Sequence, residues 1–180
     1  VGGNAQGTPM RRVAGRLRLE LSQYRELEAF AQFGSELDPD TQRTLARGER
    51  LVKTLNQPER APMPVEDQVI QIFAATNGYL DRITVDKVER FLVELRERVH
   101  GTDPELLGRI ARGDWSDEVQ ARVVAVVEQF SEDFGFDLDE EGHPIEDNAE
   151  ETLRAVGAEA AAPSPAEETE EKEAEGALAP

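Results

Sequence analysis

The sequence predicts an all-α fold, a bundle of about six helices joined by short capped turns and followed by a disordered acidic tail. Apolar residues recur at spacings of three and four along most of residues 9–136, which is the periodicity of amphipathic helices. Proline, glycine or a helix-capping residue stands wherever that periodicity breaks. No stretch alternates apolar and polar residues for long enough to predict a strand.

The first predicted helix follows a short connection. Residues 1–8 are small and glycine-rich and are expected to lead in from an upstream domain. The helix begins near Pro9 and ends at Phe33-Gly34, because glycine readily adopts the left-handed conformation of a helix stop. Its apolar stripe consists of Met10, Val13, Leu17, Leu21, Tyr24, Leu27 and Phe30.

The second predicted helix begins at a strong start signal and ends at a proline-rich loop. Asp38 can cap free amides, and Pro39 stands in the first turn, where proline costs no hydrogen bond. Gly48 lies on the apolar stripe and permits close packing. The stripe is completed by Leu45, Leu51, Val52 and Leu55. Three prolines in residues 56–64 (NQPERAPMP) then force an extended, well-fixed loop.

Four further helices follow in the order set by their caps and stops. The third runs from about residue 65 to 76 and ends at Asn77-Gly78. Thr84 starts the fourth, Asp103-Pro104 the fifth and Ser116 the sixth. The residues predicted to face the core are Val69, Ile72, Phe73, Val85, Val88, Phe91, Leu92, Leu95, Val99, Leu106, Leu107, Ile110, Val119, Val123, Val127, Phe130 and Phe134.

Charge separates the tail from the helical domain, which is predicted to span residues 9–136. Residues 137–180 carry 15 acidic and two basic side chains, a net charge of −13 out of −18 for the protein. With few large apolar residues, this tail cannot bury enough area to offset its ordering entropy. The rest of the sequence is mildly acidic and offers no basic stripe for a phosphate backbone, which argues against nucleic-acid binding.

Most catalytic chemistry lacks its usual residues here. The sequence has no cysteine, no G-x-x-x-x-G-K-[ST] phosphate loop and no G-x-G-x-x-G motif. His100 and His143 have no second ligand at metal spacing and are predicted to be solvated surface residues. Paired acids are expected to solvate helix faces. No run of about 18 apolar residues is present that would cross a membrane.

Two segments remain as candidate sites. The loop 56–64 is pre-ordered by proline, and the amide of Gln57 can both donate to and accept from a base edge. The turn 33–38 presents Glu36 and Asp38, which suit a basic partner. The alternatives are a solvent-facing connector for the loop and a simple helix cap for the turn.

Several segments together carry a family resemblance. VGGNAQ, VAGRLRLELSQYRELEAFAQFGSELD, LARGERLV, PMPVEDQV and TNGYLD are similar to the C-terminal part of the alpha subunits of F-type ATP synthases. The similarity is ordered and continuous from Val1 to about Phe136. Residues from Asp137 onward lie outside the common core of that family.

The resemblance implies a non-catalytic, regulatory subunit. Such subunits alternate with three catalytic beta subunits in a hexameric ring around the gamma subunit of the central stalk. It further implies a proton-translocating complex, peripheral to the cytoplasmic face of a bacterial plasma membrane, with membrane contact only through the complex. The domain that binds ATP or ADP with Mg, together with the transition-state arginine, is expected upstream of Val1. The fragment alone is therefore expected to be inactive.

The resemblance also implies residues for two contacts. In the family, the segment similar to LNQPERAPMP lies beside the adenine of the non-catalytic nucleotide, where two glutamines contribute. Gln57 matches the first, whereas Glu59 stands at the second, and a carboxylate cannot donate as an amide does. The residues that would face the central stalk are Phe33, Gly34, Ser35, Glu36, Leu37 and Asp38.

Two functions of other classes remain open at this point. One is a stand-alone acidic helical protein-interaction module, and the other is a small helical enzyme. A phosphate loop upstream of Val1 would support the synthase subunit, whereas a methionine close upstream would support the module. For the tail, the hypotheses are an electrostatic restraint on the stalk and a solubilising segment.

Overall fold

The computed structural model describes residues 2–31, 37–57 and 62–145, and within these ranges the fold is an all-α bundle. A 3-10 helix at Gly2–Ala5 is followed by six α-helices. They are α1 Thr8–Ala31, α2 Pro39–Leu55, α3 Val65–Thr76, α4 Val85–Thr102, α5 Pro104–Ala111 and α6 Asp117–Phe134. The predicted fold class is confirmed. The β-type pairing in the described ranges is an isolated bridge between Leu138 and Pro144.

One hydrophobic core joins all six helices. Its centre is Phe91 of α4, which is fully buried and meets the rings of Phe130 and Phe134 edge-on at 4.9 and 5.0 Å between centroids. Edge-to-face aromatic pairs stabilise by about 0.5–1.5 kcal/mol beyond the area they bury. Helix α4 also contributes Val88, Leu95 and Val99. The other helices contribute Met10, Val13, Leu51, Val69, Ile70, Leu106, Leu107, Ile110, Val119, Val123 and Val127.

The predicted core faces of α4, α5 and α6 are confirmed, but those of α1 and α2 are buried only in part. Met10, Val13 and Leu51 are buried. Phe30, in contrast, is 69% exposed although it continues the predicted stripe of α1. The apolar pattern of a helix reports which residues share a face, and it does not say whether this domain itself covers that face.

Helices α1 and α2 approach each other closely where Gly48 faces Tyr24. Gly48 is buried, and a Cβ placed there would overlap the Cδ2, Cγ and Cβ atoms of Tyr24. The predicted role of Gly48 in close packing is therefore confirmed. Its hydrogen atom leaves the space that the tyrosine ring occupies.

Two arginines one turn apart on α2 fasten the turn between α3 and α4. Arg47 donates from Nη1 to Asp81 Oδ2 at 2.6 Å and from Nη2 to the carbonyl oxygen of Thr76 at 2.7 Å. Arg50 is buried and donates from Nε to the carbonyl oxygen of Ile83 at 2.6 Å. Thr76 ends α3, so its carbonyl lacks a partner within the helix. The arginines thus satisfy carbonyls whose burial without a partner costs about 1–3 kcal/mol.

The predicted caps are confirmed in position but not all in chemistry. Asp38 and Asp103 each accept hydrogen bonds from backbone amides of the helix that follows. Thr84 and Ser116 stand at N-cap positions, but neither hydroxyl caps its own helix. The Thr84 hydroxyl instead donates to a distant carboxylate, that of Asp137, at 3.2 Å.

The packed structure continues past the predicted boundary at Asp137. Asp137 and Leu138 are both 5% exposed, and the described structure extends to Ile145. Composition marks this stretch as part of the tail, because its acidic residues outnumber its apolar ones. Burial of Asp137 is possible because polar groups at the start of α4 surround it. Residues 146–180, the remainder of the predicted tail, lie outside the described residues.

We expect Gly48→Ala to lower the free energy of unfolding by about 1–3 kcal/mol, because the added methyl group overlaps the Tyr24 ring. Gly15→Ala in α1 is the control. Nothing lies within 4 Å of a Cβ at that position, so alanine there should be neutral or stabilising by up to about 1 kcal/mol. Urea denaturation of the 180-residue protein, followed by circular dichroism, measures both; equal effects would contradict the close contact.

Candidate functional site

The acidic turn is described at its C-terminal end only. Phe33, Gly34, Ser35 and Glu36 lie outside the described residues, and Leu37 and Asp38 lead into α2. Asp38 Oδ1 accepts from the amides of Asp40 and Thr41, both at 3.1 Å, and Oδ2 accepts from Thr41 Oγ1 at 2.6 Å. The Thr41 hydroxyl, followed by the backbone amides, holds the pKa of the Asp38 carboxyl below its ordinary value.

The Asp38 carboxylate therefore acts as the N-cap of α2. Its carboxylate stands at the positive end of α2 and satisfies amides that have no partner within the helix. Gln42 adds a second tie, donating from Nε2 to the carbonyl oxygen of Leu37 at 3.0 Å. The direction in which the turn meets α2 is fixed by these bonds.

Gln57 is exposed immediately after the end of α2. Asn56 is the C-cap residue of α2, and its backbone amide donates to the carbonyl oxygen of Lys53 at 3.2 Å. Glu59, the second predicted nucleotide-border residue, lies in the range 58–61, outside the described residues. The side-chain amide of Gln57 faces solvent and can hydrogen-bond the edge of a base.

Exposed apolar side chains flank this loop on both sides. Val52 and Leu55 at the end of α2 are 40% and 42% exposed, and Val65 at the start of α3 is 45% exposed. A groove of about 360 Å³ lies where the end of α2 meets the start of α4. It is lined by Glu49, Val52, Lys53, Asn56, Val85 and Asp86. Apolar surface beside a polar amide suits a flat heterocyclic ring.

Sequence reasoning missed the exposure of these apolar residues. Val52 and Leu55 fit the helical period that predicts the buried stripe of α2, yet of the leucine and valine side chains of that stripe only Leu51 is buried. Their position directly before a proline-fixed loop is the feature that distinguishes them. When an apolar stripe continues into the last turn of a helix, its final side chains lie beside the segment that follows the helix.

Helix α1 presents a second surface. Ala14, Leu17, Leu21 and Arg18 lie along a groove of about 740 Å³ on this helix. Leu19 and Phe30 are 63% and 69% exposed on the same helix. Helix α1 therefore keeps large apolar side chains in contact with water at positions 19 and 30.

Each histidine has one ring nitrogen beside a carboxylate. His143 is an exposed surface residue, as predicted, with Nδ1 3.5 Å from Asp139. His100 is half exposed, but its Nε2 lies 2.9 Å from an oxygen of the buried Asp67. Among the residues that the structure describes, no group of three His, Cys, Asp or Glu residues is placed to hold a metal ion.

The described part of the molecule offers no membrane-crossing element. In residues 2–31, 37–57 and 62–145, no helix combines the length and apolar character needed to cross a bilayer.

These features define a class of protein first: an all-α helical domain with exposed apolar side chains on α1 and beside the end of α2. The family model for the ATP synthase alpha/beta chain, C terminal domain, matches residues 6–130. The protein belongs to this family.

Individual relatives agree with the family. ATP synthase subunit alpha of Mycobacterium sp. (strain KMS) is 48% identical over 135 residues, which span 74% of this sequence and 25% of the relative. ATP synthase subunit alpha of Salinispora arenicola (strain CNS-205) is 48% identical over 130 residues, or 72% of this sequence and 24% of the relative. The match thus spans about a quarter of the length of these relatives.

The lowered pKa of Asp38 makes the stability of the folded protein depend on pH. Because its pKa is lower in the folded than in the unfolded protein, its contribution to stability is present above about pH 4 and is lost as pH falls through the folded pKa. Asp38→Ala should therefore destabilise the protein at neutral pH, and the difference from wild type should shrink below about pH 4.

Thermal melts of the two proteins from about pH 2.5 to about pH 7, a range that spans the carboxyl titration, measure this effect. Asp40→Asn is the matched control, since that exposed carboxylate lies in the same turn but pairs with Arg43 instead of capping the helix. A difference between wild type and Asp38→Ala that stayed constant across the acid range would contradict the capping role of Asp38.

Proposed function

We propose that this protein is the C-terminal part of the non-catalytic alpha subunit of a proton-translocating F-type ATP synthase. In that role it supports ATP synthesis from ADP and phosphate, driven by a transmembrane proton gradient. The observation that carries the proposal is 48% identity over 135 residues to ATP synthase subunit alpha. The matched residues correspond to about a quarter of each relative, so the rest of such a subunit would lie outside them.

The proposed partners are beta subunits in a hexameric ring and the gamma subunit of the central stalk. The exposed apolar residues of α1 support packing within a larger assembly, because Leu19 and Phe30 lose unfavourable contact with water when a neighbour covers them. The complex would lie at the cytoplasmic face of a bacterial plasma membrane, as a peripheral part of the enzyme. This domain would contribute docking surfaces to the complex rather than reacting groups.

The loop after α2 is the proposed border of the non-catalytic nucleotide. The exposed amide of Gln57 and the apolar side chains of Val52, Leu55 and Val65 fit an adenine ring, whose faces are apolar and whose edge is polar. The described residues do not supply a metal-binding group for the Mg that accompanies ATP or ADP. Phosphates and metal would be bound mainly by the upstream domain.

The turn 33–38 is the proposed contact with the central stalk. The capping bonds of Asp38 support a firmly held end to this turn, because they fix its junction with α2. Exposed ion pairs contribute only about 0–1 kcal/mol each, so an acidic turn can guide a basic rotating surface without holding it. Glu36 would supply the charge for that contact, since the Asp38 carboxylate is already bonded within α2.

We expect Gln57→Ala in the assembled enzyme to weaken binding of nucleotide at the non-catalytic site about 2- to 10-fold, the usual effect of losing one hydrogen bond. Asn56→Ala is the control: it removes an adjacent exposed amide while the backbone bond that ends α2 remains. Fluorescence titration with an adenine nucleotide analogue measures both. Equal losses in the two variants, or none, would contradict a specific border role for Gln57.

We expect Glu36→Lys to change the turnover or the coupling of the assembled enzyme while leaving the ring intact. Glu89→Lys, an exposed charge reversal on α4, is the control and should change neither. ATP hydrolysis rate, proton pumping in vesicles and gel filtration of the complex are the measurements. Loss of the assembled ring in Glu36→Lys would contradict the proposed stalk contact and indicate that the turn has a structural role.

A further inference from the structure

An ordered segment follows the part of the sequence that the family model matches. That match ends at residue 130, whereas the described structure continues to Ile145. Gly135, with φ +85°, is the C-cap residue that follows α6. The backbone then turns back against the start of α4. Residues 135–145 are called the C-terminal clasp here, because they hold the first turn of α4 from outside.

The central contact of the C-terminal clasp is a buried carboxylate. Asp137 is 5% exposed, and its Oδ2 accepts from the amide of Thr84 at 3.1 Å and from the Thr84 hydroxyl at 3.2 Å. Its Oδ1 accepts from Lys87 Nζ at 2.8 Å. Thr84 is the N-cap residue of α4 but makes no side-chain cap of its own. The anion at the positive end of α4 is thus supplied from 53 residues away.

Arg82 holds the backbone of the C-terminal clasp from the other side. Its carbonyl oxygen accepts from the amides of Asp137 and Leu138 at 3.0 and 3.1 Å. Its guanidinium donates from Nε to the carbonyl oxygen of Leu138 at 2.8 Å and lies 4.0 Å from the centroid of the Phe136 ring. Both the peptide groups and the aromatic ring of the segment are therefore bound to the α3–α4 turn.

The C-terminal clasp also closes on itself. The amide of Ile145 donates to the carbonyl oxygen of Asp137 at 3.0 Å, and the amide of Asp139 donates to that of His143 at 2.8 Å. Asp139 Oδ1 in turn accepts from the amides of Glu141 and His143. Ile145 is thereby brought back to Asp137, so the last described residue has a defined place on the bundle.

We propose that the C-terminal clasp is an anchor that fixes the position of Ile145 and couples it to the stability of α4. Release of Asp137 removes the cap anion from α4 and an ion-pair partner from Lys87 in a single step. A force or a partner acting on the segment beyond Ile145 would therefore be felt at the first turn of α4. This coupling is a property of the fold alone and holds whatever the function of the protein.

Hydrogen exchange on the 180-residue protein, followed residue by residue by NMR, tests the anchor. Asp137→Ala is expected to raise the exchange rates of the Lys87, Leu138 and Ile145 amides about tenfold or more, although none of these amides is bonded to the removed carboxylate. Amides of the core of α6, at residues 123 and 127, should exchange as in wild type. Asp137→Asn keeps an acceptor for Thr84 but loses the ion pair, so it should give an intermediate increase.

Asp133→Ala is the matched control for this experiment. It removes an exposed carboxylate on α6 that pairs with Arg98 at 2.8 Å and leaves the C-terminal clasp untouched. Unchanged exchange at Leu138 and Ile145 in both Asp137 variants, or equal increases in Asp133→Ala, would overturn the proposal. If circular dichroism shows that Asp137→Ala has lost its helices, Asp137→Asn decides by the same criterion.

Discussion

The fold depends on how α2 holds the turn between α3 and α4. Arg47 and Arg50 reach from one face of α2 to the carbonyls of Thr76 and Ile83, at the two ends of that turn. An arginine suits this task because its several donors lie in one rigid plane and remain charged at every relevant pH. With the turn fixed, α3 and α4 keep the directions that bring Phe91 into the aromatic centre of the core.

Local pattern predicted most of this architecture, and long-range polar contacts account for what it missed. The helical period, the prolines and the capping residues are local features that can be recognised within a few residues of sequence. The six helices and the packing role of Gly48 could therefore be inferred. Asp137 resembles the first residue of an acidic tail because its partners, Thr84 and Lys87, lie 53 and 50 positions earlier. A carboxylate in an acidic stretch can be buried when donors from distant parts of the sequence hydrogen-bond to it.

The start of a loop after α2 could be predicted from the sequence, but the exposed apolar residues beside it and on α1 could not. Proline spacing marked the loop after α2, and Gln57 is exposed there as an amide. The exposure of Val52 and Leu55 could not be inferred, since periodicity assigns residues to a face and only the full assembly decides what covers it. Family membership is consistent with a bundle that leaves apolar residues in water, because the matched part makes up only 25% of such a relative.

The close approach of α1 and α2 at Gly48 has a mechanical consequence. Helix α1 has 24 residues and so is about 36 Å long, and α2 with 17 residues is about 25 Å long. Two rods in ring-to-backbone contact at Tyr24 resist sliding and bending far better than either alone. A shift of one helix along the other would drive the Tyr24 ring into the backbone of α2, so this contact fixes the register of the pair.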